Sequence, residues 1–347
     1  MSGDDIHQGV LFGIGNPLLD ISAKVDEELL KKYNLKTNDA ILAEEKHIPL
    51  YDELSEKYKV DYIPGGATQN AIKVAQWILK KPNAASFTGC IKDDKYGKIL
   101  NENCKKIGVN TMYQMHEGSE PTGLCAVLIT GHDRSLVTNL GAANCFQEAF
   151  ISKPEIWEHV EKAKFYYIAG FFLTVSPNTM LKIAEHSLAK KKTLVLNMSA
   201  PFLCQFFKDP MMKVMPYVDI LMGNETEATT FSDVHEFGTH DLKEIAKRIA
   251  ALPKQDAERK RIVIITTGAG PVIVVEDGSE PVEYPVAPLD TSKIEDTNGA
   301  GDAFAGGFLA QLVQQKPMKE CIRCGIWAGN LIVQRSGCTF PETPDYS

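Results

Sequence analysis

Apolar and polar positions along this chain follow two different periods. Short continuous apolar runs predict buried strands, and longer segments with apolar residues three or four positions apart predict amphipathic helices. The predicted strands are Val10–Ile14, Phe165–Ile168, Leu194–Asn197, Ile220–Met222, Ile262–Thr266 and Val272–Val275. The predicted helices are Asn70–Leu79, Lys95–Ile107, Pro177–Lys190, Asp241–Ala251, Asp302–Val313 and Lys319–Gln334. Because alternating strands and helices indicate right-handed crossovers, we predict an α/β fold, a doubly wound and mainly parallel sheet with helices on both faces.

Two stretches interrupt this alternation. Residues 17–63 and 121–139 contain short β-like pieces, such as LCAVLIT and RSLVTNL, and few convincing helices. Their shared character predicts one small β-sheet subdomain, a lid, built from two separate parts of the chain. We predict the lid at residues 18–67 and 119–141, and the large domain at residues 1–17, 68–118 and 142–347.

Composition narrows the class of protein. Of the 347 residues, 44% are hydrophobic and 24% are charged, which is ordinary for a globular protein. The net charge of −8 argues against a general nucleic-acid-binding protein. The acidic N-terminus and the short apolar run at 10–14 predict neither a signal peptide nor a membrane span. We therefore expect a cytoplasmic monomer with no nucleic-acid or membrane partner, and leave a nuclear location open.

The eight cysteines are scattered along the chain and do not have the spacing of a disulfide framework. The pair Cys321-x-x-Cys324 is the one spacing that could bind a metal or carry out redox chemistry. No second pair or histidine cluster accompanies it, and the surrounding sequence predicts a helix. We interpret the pair as two thiols along one helix.

Several familiar nucleotide-binding motifs are absent from the sequence. The segment GIGN at 13–16 lacks the third glycine of a dinucleotide fingerprint, and neither a Walker-type loop nor a protein-kinase motif occurs. Polar or glycine clusters nevertheless follow three predicted strands directly: GNPLLD, GNETE and TTGAG. Because parallel sheets bind ligands outside the carboxyl ends of their strands, we expect these clusters to converge at one edge.

The segment DTNGAGDAFAGGF, residues 296–308, is the strongest chemical signal. Gly299, Ala300 and Gly301 allow a sharp turn, and the first amides of the helix that follows would point toward an anion. Asp302 lies at the start of that helix. An aspartate at this position can serve as a helix cap. It can also serve as the group that accepts the proton of an attacking hydroxyl beside a bound phosphate.

This segment resembles the C-terminal signature of the ribokinase-like kinases, also called the phosphofructokinase B family. The segment GGATQNA at 65–71 resembles the N-terminal signature of that family, and Asn224-x-x-Glu227 matches its N-x-x-E motif. Each shorter motif alone also fits a plain helix start. Together they imply a kinase that uses ATP and Mg²⁺, with Glu227 reaching the metal through water, while a monovalent cation is left open.

Longer segments, among them FGIGNPLLDISA and YYIAGFFLTVSP, resemble the members of this family that phosphorylate adenosine. The resemblance implies catalytic roles for Asp302 as base, for the turn at 299–301 and for Arg134, which would reach the γ-phosphate as the lid closes. It implies that the nucleoside is bound by Asn16, Asp20, Leu42, Gly65, Gly66, Asn70, Leu136, Phe172 and Phe202. It implies that ATP and its metal lie near Asn224, Glu227, Thr267, Gly268, Asn298 and Asn330.

Two alternatives stay open at this point. One is another kinase of the same family, acting on inosine, guanosine or ribose. The other is a nucleoside-binding protein without catalytic activity on the same scaffold. The intact Asp302, Glu227 and glycine turn favour an enzyme, and an aromatic wall at Phe172 favours a purine nucleoside over a free sugar.

Overall fold

The computed structural model describes residues 6–37, 39–131, 133–295, 297 and 299–346. The strands, numbered along the chain, are β1 Leu11–Ile14, β2 Leu18–Lys24, β3 Ala40–Leu42, β4 Val60–Gly65, β5 Ala85–Thr88, β6 Cys90–Lys92, β7 Asn110–Thr111, β8 Gln114–His116, β9 Leu124–Thr130, β10 Asp133–Asn139, β11 Phe165–Ala169, β12 Thr193–Asn197, β13 Ile220–Asn224, β14 Ile262–Thr266, β15 Val272–Glu276 and β16 Val282–Tyr284. The helices are α1 Glu27–Lys32, α2 Ile48–Lys57, α3 Ala67–Leu79, α4 Lys95–Ile107, α5 Glu148–Ile151, α6 Pro154–Lys162, α7 Pro177–Ala189, α8 Pro201–Phe206, α9 Lys208–Val214, α10 Glu225–Val234, α11 Leu242–Ala250, α12 Ala300–Leu312 and α13 Met318–Ile332.

The large sheet has the spatial order β16-β15-β14-β13-β12-β11-β1-β5-β7. All its strand pairs from β14 to β7 are parallel, whereas β15 and β16 join as an antiparallel edge. One hydrophobic cluster covers each face, and successive residues of a strand contribute to opposite clusters, as Leu194 and Val195 do. The predicted doubly wound α/β fold is confirmed, and every predicted strand and helix is found within three residues of its bounds.

A second sheet, which we call the lid sheet, has the order β3-β10-β9-β2-β4. Its strands come from the two stretches that interrupt the strand and helix alternation, while the exact domain boundaries stay a prediction. Residues 17–63, where few helices are expected, contain the two helices α1 and α2. These helices are short, and α2 buries only Leu50, Tyr51 and Leu54, so their periodic signal is weak.

Helix α12 packs between α3 and α13 beside the large sheet. Two adjacent glycines make this close packing feasible. A Cβ atom on Gly306 would lie 2.6 Å from the carbonyl oxygen of Ala71 on α3, and one on Gly307 would lie 2.5 Å from that of Cys324 on α13. The glycine pair therefore sets the distance between the three helices.

Among the helices of the described residues, none combines the length and the apolar character needed to cross a bilayer. Cys321 and Cys324 are buried along α13, as interpreted from the sequence.

Candidate active site

The site lies where the strand order of the large sheet reverses. Chain connections run from β1 outward to β5 and β7 on one side, and return through β11 to β12 and β13 on the other. A crevice forms at such a switch point, outside the carboxyl ends of β1 and β11. Asn16 follows β1 there, and its amide donates to the carbonyl oxygen of Phe171, which follows β11, at 3.4 Å.

The glycine turn lies at the N-terminus of α12. Gly299 caps the helix with φ of +80°, a backbone conformation that glycine adopts without strain. The amide of Ala300 donates to the carbonyl of Thr297 at 3.3 Å, whereas the next amides of an α-helix have no intrahelical acceptor. A Cβ atom placed on Gly301 would meet no atom within 4 Å, so open space lies in front of this turn. The turn therefore offers an anion both amides and room.

Asp302 lies in the first turn of α12 and contacts α3. Its Oδ2 atom accepts a hydrogen bond of 3.0 Å from the side-chain amide of Asn70. The two residues are 232 positions apart in sequence, so the packing of α12 on α3 creates this contact. The cap interpretation of Asp302 does not describe the structure, because Gly299 is the N-cap residue and Asp302 is turned toward Asn70.

The surroundings of Asp302 favour its protonated form near neutral pH. Burial raises the pKa of Asp302 to about 7, against the opposing effects of the Asn70 hydrogen bond and the positive charge of Lys73. The negative charge of Glu227 raises it further. A carboxyl group with a pKa near the working pH is suited to accept a proton in general base catalysis.

Asn224 and Glu227 form a reciprocal cap at the start of α10. The Glu227 amide donates to Asn224 Oδ1 at 2.8 Å, and the Asn224 backbone and side-chain amides donate to the two Glu227 oxygens at 3.0 and 2.9 Å. This capping box explains the motif locally. Glu227 is nevertheless buried, with 5% of the residue exposed, and this burial raises its pKa to about 7. Glu227 is thus a buried carboxyl group whose negative charge also raises the pKa of Asp302.

The di-glycine turn brings together four of the predicted ribose ligands. Gly66, with φ of +89°, passes so close to Asn16 that any side chain there would overlap the Asn16 carbonyl oxygen. A Cβ atom on Gly65 would lie 2.5 Å from a carboxylate oxygen of Asp20. Asn16 is buried, and its Oδ1 atom has no hydrogen-bond partner among the described residues. Asn16 Oδ1 therefore offers an acceptor at the turn that starts the helix of Asn70, and the Asp20 carboxylate lies against the same turn.

The register of the lid sheet places several predicted site residues on one face. Asp20 pairs with Cys125, Cys125 with Thr138, and Thr138 with Leu42, and paired residues point to the same side of a sheet. Leu136 and Arg134 precede Thr138 by two and four positions on β10, so they share that side. A cleft of about 420 Å³ opens along this row and is lined by Leu42, Ala43, Glu120, Thr138, Asn139, Leu140, Gly141, Asn144 and Cys145.

The aromatic residues after β11 differ from the sequence-based expectation. Phe172 is 1% exposed and packs edge-on against Phe146 at 5.4 Å, so neither face of its ring is open to solvent. The accessible aromatic surface belongs to Phe171 and Phe202, whose ring centres are 6.2 Å apart. The expectation of an open aromatic wall at Phe172 is therefore wrong, because its ring is packed in the core.

Arg134 reaches from the lid sheet to the segment that precedes the glycine turn. Its Nη2 and Nε atoms donate to the carbonyl oxygen of Glu295 at 2.9 and 3.3 Å. Glu295 lies four residues before Gly299. The guanidinium group is thus held by a backbone contact to the segment that precedes the glycine turn.

The predicted ATP residues fall in three places. Thr267 and Gly268 directly follow β14, and a Cβ atom on Gly268 would meet no atom within 4 Å. Asn330 lies on α13, next to Gly329, whose Cβ position is 3.4 Å from the carbonyl oxygen of Ala300. Asn298 lies outside the described residues. No group of three or more His, Cys, Asp or Glu side chains converges in the described ranges.

Two site residues were missed from the sequence. Lys73 is buried on α3, and Tyr167 on β11 has a pKa raised by burial and by the negative charges of Asp302 and Glu227. The spacing of Lys73, three residues after Asn70, places both on one face of a helix and could have indicated the contact. Tyr167 has no comparable signal, since it lies within an ordinary apolar strand.

Comparison with known proteins agrees with this geometry. Residues 27–345 match the model of the pfkB family carbohydrate kinases. The chain belongs to this family of kinases. Adenosine kinase 2 of Arabidopsis thaliana is 54% identical over 347 residues, which is 100% of both chains.

Solved structures of adenosine kinases superpose on nearly the whole chain. The Anopheles gambiae adenosine kinase in complex with P1,P4-di(adenosine-5) tetraphosphate has a TM-score of 0.92 and 51% identity, covering 98% of this chain and 100% of that one. The Schistosoma mansoni adenosine kinase with adenosine in an occluded loop conformation has a TM-score of 0.90 and 42% identity, covering 97% and 98%. This pfkB kinase is therefore a phosphotransferase, and the resemblance read from its motifs is confirmed.

Proposed function

We propose that this kinase transfers the γ-phosphate of ATP to the 5′-hydroxyl group of adenosine, giving AMP and ADP. The observation that carries the proposal is the carboxyl group of Asp302, held by Asn70 beside the open glycine turn. The choice of adenosine is supported by the relatives, which are adenosine kinases over the full length of the chain.

The ribose of adenosine would bind at the di-glycine turn. The Asp20 carboxylate can accept hydrogen bonds from two adjacent hydroxyl groups, and the Asn16 Oδ1 atom can accept another. Backbone atoms of Gly65 and Gly66 would lie against the sugar. The purine would extend along the face of the lid sheet, where Leu42, Leu136 and Phe202 would contact it.

In the transfer step, the 5′-oxygen attacks the γ-phosphorus of ATP in line with the leaving ADP oxygen. The bond from the 5′-oxygen to phosphorus forms as the bond to the ADP oxygen breaks, and the hydroxyl proton passes to Asp302. Amides of the turn at 299–301 and the guanidinium group of Arg134 would stabilise charge on the transferred group. Asn224, Thr267, Gly268, Asn298 and Asn330 are the residues we propose near ATP.

The chemistry of the residues present fits Mg²⁺. Glu227 is a buried carboxyl group, and Asn224 already donates hydrogen bonds to both of its oxygens. Glu227 would therefore hold the ion through water, as Mg²⁺ prefers when phosphate oxygens complete its coordination. Bound Mg²⁺ would neutralise charge on the phosphates of ATP. A role for a monovalent cation stays open.

The proposed reaction would belong to purine salvage, since it would return a nucleoside to the nucleotide pool. We retain the predictions of a cytoplasmic location and of a monomer, with no nucleic-acid or membrane partner.

A nucleoside panel tests the proposal directly. Purified protein, ATP and Mg²⁺ are incubated with adenosine, inosine, guanosine or ribose, and the products are identified by mass spectrometry. We expect AMP from adenosine, with the highest kcat/KM of the panel. A higher kcat/KM for ribose or inosine would assign the chain to a different substrate of the family, and no transfer to any acceptor would refute catalysis.

A further inference from the structure

Lys73 is a buried lysine directly behind the proposed catalytic group. It lies on α3 with 2% of its surface exposed, and it is among the largest fully buried side chains of the described residues. No carboxylate of the described ranges lies within 4.0 Å of its ammonium group in an ion pair. Removing an ammonium group from water costs free energy unless its hydrogen bonds are replaced, so a buried lysine needs a structural or functional reason.

The ammonium group has two hydrogen-bond acceptors. Nζ donates to the carbonyl oxygen of Pro64 at 2.6 Å and to the side-chain oxygen of Asn70 at 3.3 Å. Pro64 directly precedes the di-glycine turn. Lys73 therefore connects the turn that holds the ribose side of the site to the amide that contacts Asp302.

These contacts determine which way the amide of Asn70 faces. An ammonium group only donates, so the oxygen of Asn70 must face Lys73. The NH₂ group of Asn70 then faces Asp302 and donates to its Oδ2 atom at 3.0 Å. An amide turned this way stabilises the ionised carboxylate and offers nothing to a protonated one at the same atom, so it favours the form that can accept a proton.

We propose that Lys73 is a positioning residue for phosphoryl transfer, fixing the amide of Asn70 so that its NH₂ group holds the carboxylate of Asp302 toward the acceptor hydroxyl. The inference rests on the proposed role of Asp302 as the proton acceptor. Lys73 does not touch the reacting atoms, and acts through Asn70.

The charges around Asp302 and Lys73 determine how removal of the lysine would change the pKa of Asp302. Lys73 lowers the pKa of Asp302, opposing the burial and the Glu227 charge that raise it. Tyr167 on β11 is the other titratable group that interacts with Asp302, and Cys104 on α4 interacts with Lys73. Without the lysine charge, the pKa of Asp302 rises, so a smaller fraction of the enzyme has an ionised base at neutral pH.

Three substitutions at one position test the proposal. Lys73→Met and Lys73→Gln remove the charge, and Lys73→Arg keeps it. Lys254→Met is the matched control, because Lys254 is also buried, with 9% of its side chain exposed, and pairs with Asp219 at 2.7 Å. Asp219 directly precedes β13, at the sheet edge opposite the site. We measure kcat and KM for adenosine against pH, and the free energy of unfolding of each variant.

For the two neutral variants we expect kcat to fall about tenfold or more, with the adenosine KM changed less than about threefold. The acid limb of the pH profile should move upward by about one unit, as expected when a neighbouring opposite charge is removed. Lys73→Arg should have the acid limb of the wild type. Lys254→Met should lose stability while keeping the wild-type kcat and acid limb.

An unchanged kcat and acid limb in both neutral variants would overturn the proposal, as would an equal loss of kcat in Lys254→Met. Unfolding of all three Lys73 variants would also overturn it, because Lys73 would then serve the fold alone. If the wild type acts on another acceptor, only the choice of adenosine fails, and the same profiles are run on that acceptor. The ¹³C NMR titration of the Asp302 carboxyl group needs no turnover, and should move to higher pH in Lys73→Met.

Discussion

The spacing of α12 from α3 can be changed by a single methyl group. Gly306 lies one turn after Asp302 on α12, so both face α3. In Gly306→Ala the new Cβ would lie 2.6 Å from the carbonyl oxygen of Ala71 and 2.6 Å from Cβ of Val74. Ordinary carbon contacts are about 3.5 Å or longer, so the helices must separate by roughly 1 Å.

That separation acts on the contact between Asn70 and Asp302, which bridges the same two helices. Its length would grow from 3.0 Å to about 4 Å, beyond the range of a hydrogen bond. Overpacking costs about 1–3 kcal/mol, and the better helix propensity of alanine offsets up to about 1 kcal/mol of it. A 1 Å misplacement of a catalytic group can cost about 100-fold in rate, so we expect kcat to fall far more than stability.

Steady-state kinetics and urea unfolding of Gly306→Ala measure both effects. Gly307→Ala is the control, because its methyl group would press on α13, 2.5 Å from the Cys324 carbonyl oxygen. We expect this control to be destabilised to a similar degree, with a loss of kcat smaller than about tenfold. Equal losses of kcat in the two variants, or a wild-type kcat in Gly306→Ala, would refute the argument that the separation of α3 and α12 controls the base.

Three other predictions address the base, the lid and the scaffold. If the carboxylate of Asp302 is the active form, as proposed, its pKa of about 7 predicts that kcat/KM for adenosine falls about tenfold for each pH unit well below that value. A flat profile down to pH 5 would contradict this. Arg134→Ala should lower kcat at least about tenfold with little change in adenosine KM, and equal effects on both in the same assay would indicate a structural role instead. Arg261 is 1% exposed and donates to carbonyl oxygens that include those of Met215 and Leu252 at 2.8 and 2.7 Å. Arg261→Met should therefore lower the free energy of unfolding by about 3 kcal/mol, while kcat of the folded enzyme stays unchanged. A urea midpoint equal to that of the wild type would argue against this prediction.

Much of the scaffold could be predicted because its signals are local. Val263, Ile264 and Ile265 form a continuous apolar run, and they are fully buried in β14. The pairing of Asn224 with Glu227 is a capping box, readable from a spacing of three. In contrast, β5 contains serine and threonine within Ala85–Thr88 and gives no continuous apolar run, although all four residues are buried between β1 and β7.

The chemistry of the site depends on contacts that no local pattern encodes. Asn70 and Asp302 each belong to a recognisable motif, yet their hydrogen bond arises from the packing of two distant helices. The contact of Arg134 with the Glu295 carbonyl joins positions 161 residues apart. The burial of Phe172 follows from its packing on Phe146, which shows that an aromatic residue in a motif can serve the core.

The central claim is that Asp302 accepts the proton of the acceptor hydroxyl. The most direct measurement compares Asp302→Ala with the wild type, using kcat for AMP formation and calorimetric titration of adenosine. We predict that kcat falls by about 100-fold or more while the Kd for adenosine changes less than about threefold, because the proposed ribose contacts lie on Asn16 and Asp20. A variant that binds adenosine normally and keeps near-wild-type kcat would contradict the account.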